Sequence, residues 1–396
     1  MIKILDSKIK NFDTTLDKLL TKRKVKVQLN SISIIKIINN VKINGDKAIL
    51  KYEKKFNENN VIIPNQKKIS KSIKSLDIKV KEAIDLAYKR IYKFHSLQKF
   101  KNISYTDKLK NKLEYKYIPI ESVAIYVPGS TASYPSSVLM NAIPALVAGV
   151  KRIVMINPGQ KGKQNPAVLY AASKCKIKEI YSIGGPSAIA AIAYGTKKVK
   201  KVDKIVGPGN SYVAAAKKEV FGDVGIEGMI AGPSEVTIVC DKYSNPEWIA
   251  SDLIGQAEHD KLAQCILISK DKSLLSKVNE EIKDQLRNLP RATIARNSIL
   301  NNGILMHITS DQKIIEVVNK IAPEHLELNI KKYKNMVGKI KNAGSICLGK
   351  YAVMAMTDYN IGPNHVLPTN SSARYSSGVS VNEFYKRISY INLSKK

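Results

Sequence analysis

From Ser122 onward, short apolar runs alternate with helix-forming stretches, and this alternation limits the fold more than any other feature of the chain. The runs VAIYVP (123–128), RIVMINP (152–158), EIYSIGG (179–185) and KIVGPG (204–209) are interleaved with stretches such as 136–148 and 187–194. A second series follows: EVTIVCD (235–241), CILISKD (265–271), ILMHITS (304–310) and SICLG (345–349), with helices expected over 246–256, 273–286 and 311–321. Strands separated by single helices imply parallel sheets of the α/β class, because a parallel pair needs a crossover long enough to hold a helix. Asn245 stands where a helix N-cap is wanted, and Pro246 occupies the first helical position. Each series predicts one Rossmann-like sheet, incomplete and doubly wound, with ligands expected where strand carboxyl ends meet. No G-x-G-x-x-G follows any run, so the ordinary dinucleotide fingerprint is absent.

Residues 1–120 read as mostly helical, and 70–97 has helical apolar spacing, with His95 near its end as a surface or capping residue. A chain of 396 residues is too long for one ordinary core. Its 65 basic and 33 acidic residues give a formal net charge of +32. Such charge raises nucleic acid as a partner. The lysines, however, are spread over the chain without one stripe, and no aromatic and basic platform accompanies them. The charge is read as compositional, with steering of acidic cofactors as a side effect. Neither nucleic acid nor membrane is expected as a partner: no segment reaches membrane-spanning length without charges, and the N-terminus has no secretory pattern. A cytoplasmic location follows. Cys175, Cys240, Cys265 and Cys347 form no CxxC, and the last three fall in expected strands, so all four read as buried thiols.

Chemistry concentrates in short polar motifs. Gln256 and His259 are three apart at an expected helix end, so both side chains can aim at one point. Alone, the pair reads better as a helix carboxyl end with a solvated His favoured by the dipole. Together with Asp358 it offers O, N and O donors, a set that suits zinc or manganese. In Pro323-Glu324-His325, a carboxylate and an imidazole sit side by side at a strand mouth, placed for acid–base work. Ile205-Val-Gly207-Pro-Gly209-Asn210 reads as a strand entering a glycine turn and a helix, able to hold an anion or simply to turn tightly. Ala231-Gly-Pro-Ser234-Glu235 is a polar turn before a strand, whose Ser either binds a ligand or caps the turn. The run 357–369 holds Asp358 and His365 among turn formers. His307, inside a strand-like run, reads as a packed core histidine.

GPGNSYVAAAK, AGPSEV, DLIGQAEHD, APEHLEL and TDYNIGPNHVLPT, in this order and with YVPGSTASYPSSVLMNAIPA (126–145), closely resemble histidinol dehydrogenase from about residue 20 to the end. The resemblance implies oxidation of L-histidinol to L-histidine through the aldehyde, with two NAD+ and one zinc per subunit. It implies zinc ligands at Gln256, His259 and Asp358, a base at His325, and a water-activating carboxylate at Glu324. Ser234 and His365 match substrate-pocket positions, which the zinc ligands and His325 also line. Tyr126 and Asn210 match NAD contacts. Ser187 stands where the family has a longer Gln, so that contact is expected to be lost or bridged by water. The alternatives are a relative acting on another amino alcohol or diol, or a poorly active shortened form.

The expected division is an N-terminal helical extension (1–25), a first, discontinuous α/β domain with the zinc and catalytic residues (26–125 and 238–380), a second α/β domain on the NAD side (126–237), and the start of a shortened tail (381–396). Family members are homodimers whose tail gives a further His ligand to the partner subunit. No His follows His365 here, so weak zinc binding and slow turnover are expected.

Overall fold

The computed structural model describes residues 2, 4–25, 31–129, 134–159, 161, 163–227 and 232–395. Ala231 and residues 130–133, which belong to two of the motifs above, lie outside these. Along the chain run β1 (Ile4–Asp6), α1 (Phe12–Val25), α2 (Ser31–Asn57), α3 (Gln66–Lys74), α4 (Ile78–Ser96), β2 (Ile103–Thr106), β3 (Lys112–Pro119), β4 (Ser122–Tyr126), α5 (Pro135–Ala148), β5 (Arg152–Ile156), α6 (Pro166–Lys174), β6 (Glu179–Tyr181), α7 (Gly185–Tyr194), β7 (Lys204–Val206), α8 (Ser211–Glu219) and β8 (Gly225–Ile226). They continue with β9 (Glu235–Cys240), α9 (Pro246–Ala257), β10 (Gln264–Ser269), α10 (Lys272–Gln285), α11 (Ala292–Asn302), β11 (Ile304–His307), α12 (Asp311–Ile321), β12 (His325–Asn329), α13 (Lys334–Val337), β13 (Ser345–Leu348), α14 (Met354–Tyr359) and β14 (Tyr385–Asn392).

The chain forms two compact units. The first comprises Met1–Leu29, Met229–Tyr359 and Leu367–Gly378. Its sheet has the order β1-β11-β10-β9-β12-β13, all parallel. The second comprises Asn30–Gly228, Asn360–Val366 and Val379–Lys396. Its parallel sheet has the order β6-β5-β4-β7-β8. If β1 is set aside, both sheets place the third, second, first, fourth and fifth strands of their series side by side, the doubly wound order of a Rossmann half. Strands β4, β9 and β10 are buried along their whole length, as expected of sheets covered on both faces, so their sequences are continuous apolar runs without alternation. Helix α12 buries Ile314, Ile315, Val317, Val318 and Ile321 in the first core, each contributing about 1.5–3 kcal/mol relative to exposure.

Several expectations are corrected. Residues 30–125 belong with the second unit rather than with 238–380. Helices α2, α3 and α4 have no sheet of their own, so they bury apolar residues such as Ile38, Val41 and Ile91 by packing on α5, α6, α7 and α8. Residues 1–25 are not only helical: β1 pairs with β11, and Phe12 and Leu16 of α1 enter the first core. The stretch 70–97 is two helices, because Asp77 caps the second one by accepting from the amides of Lys79 and Val80. His95 is fully buried, 0% exposed, with Nδ1 2.9 Å from the Ile91 carbonyl. His307 does lie in a strand, but it pairs with Asp6 at 3.0 Å and is partly exposed. Residues 385–392 form β14, paired antiparallel with β3 in a sheet of order β14-β3-β2. All four cysteines are free and buried. Among the described residues no helix is long and apolar enough to cross a membrane.

Candidate active site

In the first unit the candidate residues collect at the amino edge of the sheet, not at the carboxyl edge the sequence pattern suggests. Helix polarity explains this. Helix α9 leaves β9 and returns toward the start of β10, so its last turn, with Gln256, comes back to the amino edge. Helix α12 likewise ends where β12 begins. It stops at Ala322, whose φ is +49°, and Pro323 prevents continuation. Glu324 then leads into β12, which His325 opens opposite Val236 of β9 on one side and Ser345 of β13 on the other. Held between two parallel neighbours, His325 is only 3% exposed. Ser234 lies just before β9, where its carbonyl accepts from the Gln264 amide at 3.0 Å.

Glu324 is fixed by a reciprocal clasp that the sequence gives no sign of. Its Oε2 accepts from the Glu235 amide at 2.7 Å, while its own amide donates to Glu235 Oε2 at 3.4 Å. Glu235 Oε1 accepts from the Asn370 amide at 2.7 Å. The His325 imidazole turns one nitrogen toward two carboxylates, with Nε2 3.5 Å from Asp358 Oδ1 and 3.9 Å from Glu324 Oε1. The structure thus brings Glu324, His325 and Asp358 together. An imidazole so placed can accept a proton and be stabilised as the cation.

Helix α14, which carries Asp358, packs against both α9 and β12. Gln256 is 1% exposed, and neither Oε1 nor Nε2 has a hydrogen-bond partner. A buried carboxamide left unpaired costs about 1–3 kcal/mol, so the arrangement asks for a ligand. Asp358 Oδ1 is also buried without a donor, and burial pushes that carboxyl up to about 7. Burial lowers the His259 pKa, which favours the neutral imidazole a metal needs. Among the described residues no three His, Cys, Asp or Glu side chains are grouped to hold a metal ion. The donor set with two orphaned groups is Gln256, His259 and Asp358, in which one member is an amide. The carboxyl ends of α9 and α12 add partial negative charge at this edge, so a cation fits here.

The second unit has the opposite polarity. Tyr126 ends β4, Ser187 lies in the first turn of α7, and Asn210 precedes α8, so helix amino ends gather at the carboxyl edge, which favours an anionic ligand. Tyr126 is buried, which pushes its phenol up to about 12, and its hydroxyl accepts from the Gly185 amide at 3.1 Å. Glu53, fully buried and missed in the sequence, accepts from the Gly184 amide at 2.7 Å. Ser187 is buried and donates to the Gly184 carbonyl at 3.0 Å. It therefore closes its own helix turn and presents no side chain outward. Asn210 is exposed and caps α8, accepting from the Tyr212 and Val213 amides, both at 3.1 Å. His365 belongs to this unit, in a segment anchored by Asn364, whose Nδ2 donates to the Met140 carbonyl at 2.6 Å.

Gly207 turns the chain into α8 with φ +105°, and a Cβ there would run into the Tyr126 backbone. Its carbonyl accepts from Lys217, which is itself buried and ion-paired with Glu227. Gly207→Ala is expected to lower stability by about 1–3 kcal/mol through backbone strain. A thermal melt unchanged from that of the wild type would show that the turn is not so constrained.

The histidinol dehydrogenase family model matches residues 20–396. A curated histidinol dehydrogenase of Pelagibacter ubique is 85% identical over 396 residues, covering 100% of this chain and 92% of that protein. One from Nitrosomonas europaea is 44% identical, covering 100% and 93%. The crystal structure of histidinol dehydrogenase from Elizabethkingia anophelis superposes with a TM-score of 0.90 at 36% identity, covering 100% of this chain and 91% of that one.

Proposed function

The chain belongs to the histidinol dehydrogenase family, and we propose that it oxidises L-histidinol to L-histidine through L-histidinal, using two NAD+ and one zinc ion per subunit. The observation that carries the reading is the buried His325 imidazole, whose Nε2 faces both Asp358 and Glu324, in a unit that also buries an unpaired Gln256 carboxamide. Gln256, His259 and Asp358 would hold the zinc ion. When bound, zinc supplies Lewis acidity and a fixed point for the substrate's amino alcohol, and the nicotinamide supplies the hydride acceptor.

The chain's own groups handle protons and position. His325 Nε2 takes the proton of the substrate hydroxyl as hydride leaves the carbinol carbon, which yields the aldehyde. Glu324 takes a proton from water as it adds to the aldehyde, and the hydrate then loses a second hydride to give the carboxylate. Each oxidation sends one hydride to NAD+; the first releases one proton, and the second, which consumes water and ends at the carboxylate, releases two. The clasp with Glu235 supports this role, because it keeps Glu324 Oε1 turned toward the imidazole. Ser234 and His365 are assigned to the substrate, and Tyr126, Ser187 and Asn210 to the NAD side. Since Ser187 spends its hydroxyl on Gly184, water is assigned the contact a longer side chain would make.

The protein is read as a homodimer acting in the cytoplasm. Exposed Ile103, Tyr105, Tyr390 and Ile391 on the three-stranded sheet support a protein partner. The decisive experiment is NAD+ reduction with L-histidinol, with and without added zinc. Two NADH per histidine are expected; one NADH with accumulating aldehyde would mean a simple alcohol dehydrogenase.

A further inference from the structure

Two more carboxyl groups, one buried and one half-buried, lie behind the amino edge of the first unit, and the chemistry above does not use them. Asp252 stands on α9 one turn before Gln256, and Glu327 on β12 two residues after His325. Glu327 is 1% exposed, and its Oε1 accepts from the amide of Met354, the first residue of α14, at 2.7 Å. Asp358 follows one turn later on that helix. The two carboxyl groups interact, and each buries one oxygen, Asp252 Oδ2 and Glu327 Oε2, to which no hydrogen-bond donor is aimed.

Two carboxylates in contact in a poorly hydrated interior cannot both stay charged. One proton between them satisfies both orphaned oxygens and turns repulsion into a charge-assisted hydrogen bond. Burial raises both groups above the ordinary carboxylate range, with mutual repulsion adding to the shift of Glu327.

We propose that Asp252 and Glu327 form a proton-sharing positioning pair that ties α9, β12 and α14 into one clamp, and so fixes the elements that carry Gln256, His325 and Asp358. The pair touches neither substrate nor cofactor in this role. Its purpose rests on the zinc reading above, because the three clamped elements carry the cation end of the site.

The test measures zinc affinity of the full chain by competition with a chelator, beside thermal melts and circular dichroism. Asp252→Ala and Glu327→Ala are expected to weaken zinc binding about 10–100-fold, the range for groups that orient ligands. Glu327→Gln and Asp252→Asn can remake the bond, since the amide N–H takes the place of the shared proton, and Gln still accepts from Met354. They are expected to stay within about threefold of wild type, a rescue that bulk packing at Ala would not predict. Asp252→Ala leaves the Met354 bond in place, so it reports even if Glu327→Ala fails to fold.

Wild-type zinc affinity in Asp252→Ala would overturn the pair, and so would amide variants as damaged as the alanines. Gln256→Leu is the control. If it too binds zinc as wild type does, the metal reading itself fails and the pair falls with it. If it loses zinc while Asp252→Ala does not, only the pair fails.

Discussion

His325→Asn is expected to lower NADH formation from L-histidinol by about 10²–10⁴-fold, the ordinary loss when a positioned base is removed. The fold should tolerate the change, because β12 is held by backbone ladders to β9 and β13 on both sides. A second variant separates the two oxidations. Glu324→Gln keeps an oxygen for the Glu235 amide, so the clasp survives, but the group facing His325 loses its charge. Fed L-histidinol, Glu324→Gln should still make the first NADH and stall at the aldehyde. Supplied with L-histidinal, His325→Asn should retain more of its rate than it does with the alcohol, since hydration is the step proposed for Glu324. Equal losses by both variants on both substrates would sink the division of labour between the two residues.

The fold was legible where one period dominates. Strands β4, β9 and β10 are continuous apolar runs because both of their faces are covered, and the Asn245-Pro246 start of α9 appears as a cap with its side chain accepting from Glu247 and Trp248. What stayed hidden depends on partners far away in the chain. Nothing local marks residues 112–119 as a strand whose partner is β14, some 270 residues on, or 103–106 as the strand on its other side. Such partly exposed strands are set by pairing rather than by an apolar signal.

The edge of the first sheet at which the candidate residues lie is likewise not legible from the strand pattern. The carboxyl-edge rule holds in the second unit, where Tyr126 and Asn210 follow strands. It fails in the first, where Gln256 and Glu324 follow helices that run back. Sequence order alone contains that distinction: a motif just after a helix belongs to the amino edge, and a motif just after a strand to the carboxyl edge. The two edges then differ in electrostatic sign, helix carboxyl ends at one and amino ends at the other. The pattern matches a cation in the first unit and a pyrophosphate-bearing cofactor in the second. His95, Glu53, Glu235 and Glu327 had no sequence signal, because a buried polar residue is identified only by what surrounds it.

That same cost of burial yields the second large effect, which runs in opposite directions with and without metal. Gln256 contributes a buried carboxamide with no partner, and Asp358 a buried carboxyl oxygen with no donor. In metal-free protein these groups lower stability, as sites built for a ligand commonly do. Gln256→Leu should therefore melt no lower than wild type once zinc is removed, and should gain about 1–3 kcal/mol if leucine fills the space well. With zinc present the order reverses. Zinc at 1,000-fold its dissociation constant stabilises the wild type by about 4 kcal/mol. Asp358→Ala removes the only carboxylate of the proposed donor set, so its loss of affinity should exceed the ~10–100-fold typical of groups behind the ligands. Its zinc-induced rise in melting temperature should largely vanish, and that of Gln256→Leu should shrink. Chelator treatment of the wild type should abolish histidine formation, and added zinc should restore it. Should Asp358→Ala keep the full zinc-induced rise, the cation binds elsewhere, and the unpaired groups of this site answer to some other ligand.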